Sequence, residues 1–222
     1  MSAPSGRLAL VTGASGYIGG RLVPELLAAG YRVRCLARTP EKLRDHPWRA
    51  RVEVVRGDVV SGEGLAEALA GVDVAYYLVH SMSGGSDFVR TDAEGARRFA
   101  EAAGEAGTGR VVYLGGLAPE GTELSEHMAS REEVGRLLLE APTPAVVLRA
   151  AVILGSGSAS FEMLRHLTER LPAMTTPDGC AAGCSRSRCG TCSVCWCART
   201  NSPRGPTAPS TSADRRSSAT PR

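Results

Sequence analysis

Apolar residues in this chain alternate between two rhythms. Short apolar runs at 8–11, 31–38, 51–58, 72–80, 110–114 and 145–154 read as six strands. Between them, segments at 21–29, 65–69, about 87–106, about 124–140 and 161–171 place apolar residues every three or four positions, as amphipathic helices do. In the long segment, Phe88, Ala96, Phe99 and Ala103 fall on one face, and Gly95 in mid-helix predicts close packing. Thr39 and Pro40 predict the N-cap and first turn of a further short helix. The run 72–80 is almost wholly apolar, as a central parallel strand should be. Tyr76 and Tyr77 must point to opposite faces of it, so at least one of them packs in the core. Strand and helix alternate throughout, which predicts an α/β fold with a doubly wound parallel sheet. Ligands on such sheets bind at the carboxyl ends of the strands, near the point where the winding reverses.

The first strand leads into Val11-Thr12-Gly13-Ala14-Ser15-Gly16-Tyr17-Ile18-Gly19-Gly20, and the helix that follows stops at Gly30. Gly13 turns the chain off the strand. Gly16 lets a pyrophosphate approach the backbone, and Gly19 lets helix and strand pack closely. The helix N-terminus offers free N–H groups and partial positive charge to phosphate. An ordinary glycine-rich turn would show the same letters, but strand-turn-helix is the context that gives the motif its meaning. The cofactor contacts expected here are Gly13, Ser15, Gly16, Tyr17, Ile18 and Gly19. Asp58 and Val59 end the third strand, and Val79 and His80 end the fourth; all four are candidates for the same cleft. Asp58 reads either as an acceptor for the adenine amine or as a turn residue.

About 20 residues beyond the last motif glycine, NAD-binding folds carry an acid that holds the ribose hydroxyls. This chain has Ala37-Arg38 there, with Lys42 a helical turn on. A guanidinium pairs with a 2′-phosphate where an acid would repel it, which favours NADP(H) over NAD(H). The plainer alternative is a solvated surface arginine.

Composition narrows the picture. The 222 residues suffice for one α/β domain with a substantial core. No apolar run approaches the about 20 residues of a membrane span. The first strand begins almost at once, so no signal or transit peptide is expected, and a cytoplasmic protein is. The net charge of +3 conceals a division: residues 178–222 hold seven arginines and two aspartates, so the first 177 sum to −2. Nothing in that acidic part points to nucleic acid. Lys42 is the only lysine, an arginine bias that fits a GC-rich gene.

Together, the glycine motif, Leu36-Ala37-Arg38, Gly57-Asp58 and Val112-Tyr113-Leu114-Gly115-Gly116 resemble an atypical or extended short-chain dehydrogenase/reductase. The likeness is strongest to the NmrA-like and complex I accessory-subunit-like NAD(P)H-binding proteins, including bacterial members called nucleoside-diphosphate-sugar epimerases. It covers about residues 7–177 and implies a Rossmann fold, a dinucleotide cofactor, and an oxidoreductase or sugar epimerase. The family's serine after the fifth strand is here Gly115-Gly116, and its Tyr-x-x-x-Lys is His127-Met128-Ala129-Ser130-Arg131. His127 can move a proton near neutral pH, and Arg131 can hold a ribose or phosphate but cannot be deprotonated. These two are the candidate catalytic residues. The simpler alternative is two surface residues one helical turn apart. Loss of both signature groups leaves a second implied role, a non-catalytic NADP(H)-binding redox sensor or assembly factor acting through a protein partner.

After Pro177 the chain changes character. Residues 178–222 contain no Leu, Ile, Met, Phe or Tyr, so they predict a disordered tail after a domain of residues 1–177. Two explanations stay open. Cys189, Cys192, Cys195 and Cys197, within six cysteines from Cys180, have spacing that suits zinc or an iron–sulfur cluster. Alternatively the tail is read out of frame: shifting cysteine codons makes them end in T-G, giving valine or leucine after G or C. Such a shift permits a strand-like apolar run followed by a helix start, as the family's next segment has. Cys35, alone in a predicted strand, reads as a small buried hydrophobe.

Overall fold

A computed structural model describes residues 6–80, 88–117, 124–151, 153 and 155–170. Six parallel strands, β1 (Leu8–Thr12), β2 (Arg32–Ala37), β3 (Glu53–Arg56), β4 (Val74–Tyr77), β5 (Arg110–Gly116) and β6 (Ala145–Ala150), pair in the order β3-β2-β1-β4-β5-β6. Five helices connect or follow them: α1 (Tyr17–Ala28), α2 (Leu65–Leu69), α3 (Phe88–Glu105), α4 (Glu126–Glu140) and α5 (Ala159–Arg170). β1 has β2 on one side and β4 on the other, so the winding reverses beside it. This is the doubly wound, Rossmann-type sheet that the alternating pattern predicts.

Strand pleating sends successive side chains to opposite faces and so builds two cores. Leu10, Leu36, Tyr77 and Tyr113 meet Ala96, Phe99 and Ala103 of α3 on one face. Ala9, Val11, Cys35, Tyr76 and Val112 meet Leu22, Val23 and Leu26 of α1 on the other. Both tyrosines of β4 are therefore core residues, one for each face. Gly95 of α3 lies over Tyr77: a Cβ there would come 3.3 Å from the phenol oxygen and 3.4 Å from Val59. The close packing expected of that glycine is present. Cys35 is fully buried, and burial pushes its thiol up to about 12, so it behaves as a small apolar residue.

Several elements end elsewhere than their apolar runs do. α1 starts at Tyr17, not Arg21, because the helix begins directly after Gly16. It ends in a Schellman turn: Gly30 has φ +86°, Gly30 N–H donates to Leu27 and Tyr31 N–H donates to Leu26. That turn consumes Tyr31, so β2 starts at Arg32. Pro40–Leu43 forms one 3₁₀ turn, and the Thr39 side chain makes no capping bond there, contrary to its expected role. β6 stops at Ala150, well before residue 154. Its partner β5 ends at Gly116, and the last link is Leu117 N–H to the Ala150 carbonyl.

β4 is also shorter than its apolar run, and the cause lies at the cleft. β1 ends at Thr12 because Gly13 turns away at φ +72°. The buried Thr12 hydroxyl donates to the Tyr76 carbonyl and accepts from Leu78 N–H, both at 3.1 Å. A side chain thus replaces the missing ladder, and residues 78–80 are released from the sheet to line the cleft. The expected loop at 81–86 and the residues 171–222, with Cys189, Cys192, Cys195, Cys197 and the reading-frame question, lie outside the described residues.

Thr12→Val removes both bonds at constant shape and leaves the Leu78 N–H without a partner. The expected cost is about 1–3 kcal/mol. Urea unfolding should show the midpoint falling with an unchanged slope, and Thr12→Ser should recover most of the loss.

Candidate functional site

The carboxyl ends of β1, β2, β3 and β4 open into a cavity of about 550 Å³. A second cavity of about 680 Å³ lies over the ends of β5 and β6. Gly13, Gly16, Leu78 and His80 line both, so the two are chambers of one cleft centred on the glycine turn.

The turn is built as its three glycines require. At Gly13 the positive φ excludes most side chains, and a Cβ would come 2.9 Å from the Leu78 carbonyl oxygen. At Gly19 a Cβ would lie 2.3 Å from the Gly13 carbonyl and 2.7 Å from Ala14 Cα, so any side chain would separate α1 from the turn. At Gly16 a Cβ would meet only the Gly13 oxygen, at 3.2 Å, with the cleft open beyond it. Gly16 is also the N-cap of α1 and has no side-chain capping bond. The first N–H groups of a twelve-residue helix therefore face a space that a side chain would fill. That donor set fits the pyrophosphate of a dinucleotide.

The first chamber gathers Ser15, Arg38, Lys42, Asp58, Val59, Val79 and His80 with Gly13 and Gly16. Arg38 and Lys42 are exposed there, just past the end of β2. Asp58 Oδ1 accepts from Val60 N–H at 3.0 Å, so the turn role expected of it is real, while its side chain still borders the chamber. Tyr17, Ile18 and Gly19 line the second chamber instead, with Leu114, Gly115, Gly116, Met128 and Arg131.

The two candidate catalytic residues part company. Arg131 lines the second chamber. His127 is exposed, its ring stacked on Phe88 at 4.5 Å, and it is not among the lining residues. His80 stands where the chambers join. The residue is exposed, yet its imidazole is held below the ordinary histidine range. Crowding by protein atoms is the main cause, followed by the positive charges of Arg131 and, more weakly, His127, with Asp92 opposing them.

Several contributors escape sequence reasoning. Thr12 carries the strand bridge described above, but nothing distinguishes it from any threonine at a strand end. Ser130 Oγ donates to Asp92 at 3.2 Å, fixing α4 against α3, and the Tyr113 hydroxyl donates to the Arg131 carbonyl at 3.3 Å. Arg21 packs over the Tyr17 ring and donates to the Ser156 carbonyl at 2.8 Å, tying α1 to the loop beyond β6. Only folding brings these pairs together. Among the described residues, no group of three or more His, Cys, Asp or Glu is arranged to hold a metal. No helix among them is long and apolar enough to cross a membrane.

Comparison with known proteins agrees with this geometry. Residues 13–141, more than half of the chain, match the NAD(P)H-binding family, and the chain belongs to it. A ceramide reductase of Caulobacter vibrioides is 33% identical over 170 residues, covering 74% of this chain and 52% of the relative. A 3-beta-hydroxysteroid dehydrogenase of Mycolicibacterium neoaurum is 34% identical over 114 residues, 47% of this chain and 30% of the relative. The chain thus spans about half, or less, of the length of these relatives. Among solved structures, the Citrobacter sp. triphenylmethane reductase complexed with NADP(H) superposes with a TM-score of 0.58 at 25% identity, over 73% of this chain and 55% of that one. A short-chain dehydrogenase/reductase superfamily protein from Agrobacterium tumefaciens with bound NAD gives 0.54 at 25% identity, over 64% and 48%. The resemblance drawn from the glycine motif therefore holds: this is an NAD(P)H-binding protein of the short-chain dehydrogenase/reductase type.

His80 shares the cleft with the glycine turn, whose donor set fits a pyrophosphate, and phosphate charge at that place favours its charged form. Binding should therefore raise its depressed pKa and take up a proton. Dinucleotide affinity is expected to strengthen as pH falls below about 6.5, the ordinary histidine value. Calorimetry in buffers of different ionisation enthalpy should detect the proton uptake, and His80→Gln should abolish it.

Proposed function

We propose that this chain binds NADP(H) in preference to NAD(H) and serves as an oxidoreductase, exchanging hydride with a carbonyl or alcohol. The observation that carries the cofactor preference is the end of β2. Arg38 and Lys42 border the first chamber there, and the residue before Arg38 is Ala37 rather than an acid. Asp58 is the one acid among that chamber's described lining, and its Oδ1 serves its own turn. Two cations without a competing carboxylate suit a 2′-phosphate.

In this reading the N–H groups at the start of α1 hold the pyrophosphate. Gly13, Gly16 and His80 form the passage into the second chamber. A nicotinamide bound there supplies or accepts hydride. Arg131 is the member of the candidate pair that acts in the cleft, and His127 packs on Phe88. The names of the relatives, a ceramide reductase and a hydroxysteroid dehydrogenase, support reductase or dehydrogenase chemistry over epimerisation.

A second reading, an NADP(H)-binding redox sensor or assembly factor, draws support from one observation. Gly115-Gly116 replaces the hydroxyl that the family's chemistry uses, and an arginine cannot donate its proton at working pH.

Titration should give a Kd for NADPH at least tenfold below that for NADH, a difference of about 1.4 kcal/mol. Arg38→Ala should remove most of it by weakening NADPH alone. Equal affinities would defeat the preference. NADPH consumption with any member of a ketone and aldehyde panel favours the enzyme, and tight NADPH binding with no turnover favours the sensor.

A further inference from the structure

The second chamber is the larger of the two, and apart from Arg131 and His80 its walls are mostly apolar. Ile18, Leu114, Met128 and Ile153 line it, and Leu117, 56% exposed, stands at its rim. Among its described lining residues, the one permanently charged group is Arg131.

Arg131 is half-buried. Its carbonyl accepts from Tyr113, but its guanidinium has no hydrogen-bond or carboxylate partner among the described residues. Other arginines nearby are matched. Arg136 on the same helix binds Glu133 and Glu140, and Arg149 of β6 binds Glu132. The carboxylate of Asp92 accepts from Ser130. A guanidinium kept half out of water beside an apolar wall needs an acceptor, and the surroundings leave one to come from a ligand.

Gly116 makes that placement feasible. A Cβ there would lie 2.8 Å from Met128 Cε, 3.0 Å from Met128 Sδ and 3.4 Å from Arg131 Cδ. The space that a serine side chain would occupy is filled by Met128 and the stem of Arg131. The missing serine and the arginine are thus one arrangement: a side chain at this place would press on both the Met128 thioether and the Arg131 stem.

We propose that the second chamber takes a neutral apolar carbonyl compound, with its oxygen on the Arg131 guanidinium and its apolar body against Ile18, Leu114, Met128 and Ile153. A bound carbonyl is polarised by this cation, as an electrophilic site requires. The assignment rests on the reading of the first chamber as the dinucleotide site and adds the substrate class to it.

The test uses the full chain and three ligands of one shape: 2-acetylnaphthalene, 2-ethylnaphthalene and 2-naphthoate, each titrated with and without saturating NADPH. The ketone should bind at least tenfold tighter than the hydrocarbon. Arg131→Met should shrink that preference below threefold, and Arg131→Lys, which keeps the cation, should retain part of it. Gly116→Ser should weaken the ketone at least fivefold. Equal binding of ketone and hydrocarbon, or a preference that survives Arg131→Met, overturns the proposal. Naphthoate binding tenfold tighter than the ketone also overturns it, in favour of a carboxylate ligand. Titration of NADPH into the chain without the aromatic ligands reports the dinucleotide site by itself, so failure there is distinguishable from failure here.

Discussion

The cleft depends on the way β1 ends. Gly13 leaves the sheet at a backbone angle that most side chains disfavour, and this ends the ladder between β1 and β4 one step early. The Thr12 hydroxyl closes the gap by bonding both the Tyr76 carbonyl and the Leu78 N–H. One buried side chain thereby satisfies two backbone groups that would otherwise be exposed to an apolar interior. It also frees Leu78, Val79 and His80 to form the floor of the cleft. The close approach of Gly19 to the Gly13 carbonyl then fixes where α1 begins and where its free N–H groups point.

The far half of the cleft is set by the packing of α4. Ser130 is held to Asp92 of α3, and the carbonyl of Arg131 is held by Tyr113 of β5. These bonds fix the helix so that Met128 and Arg131 face the end of β5, while His127, one position earlier, faces Phe88. Two residues four apart lie on one helical stripe, but the chamber meets only part of that stripe. Electrostatics follows from the same packing: the charge of Arg131 reaches His80 across the chamber and helps keep that imidazole neutral.

Much of the fold was legible because its signals are local. Alternating apolar runs located all six described strands, and the glycine spacing marked the turn and the stop of α1 at Gly30, although the helix itself begins at Tyr17, four residues before its apolar segment. Phe88, Ala96, Phe99 and Ala103 are buried as their helical spacing requires. Strand ends were less legible. The runs 72–80 and 145–154 continue in apolar residues after their neighbours have left the sheet, and hydrophobicity alone does not record where a partner stops. His80 could be placed at the cleft from topology. Its depressed pKa could not, because the causes include Arg131 and His127, some 50 residues away in sequence.

By itself, then, the sequence determined what depends on neighbours along the chain: strand and helix periods, the backbone freedom at Gly13, the space at Gly16 and Gly19, and cations in place of an acid after β2. The tertiary structure decided what depends on contacts across the fold. It alone joins Thr12 to β4, separates His127 from the chamber that Arg131 enters, and shows that Gly116 is the room into which Met128 and Arg131 pack. Those outcomes turn on helix rotation and on distances of a few ångströms between distant segments, which no local pattern of residues encodes.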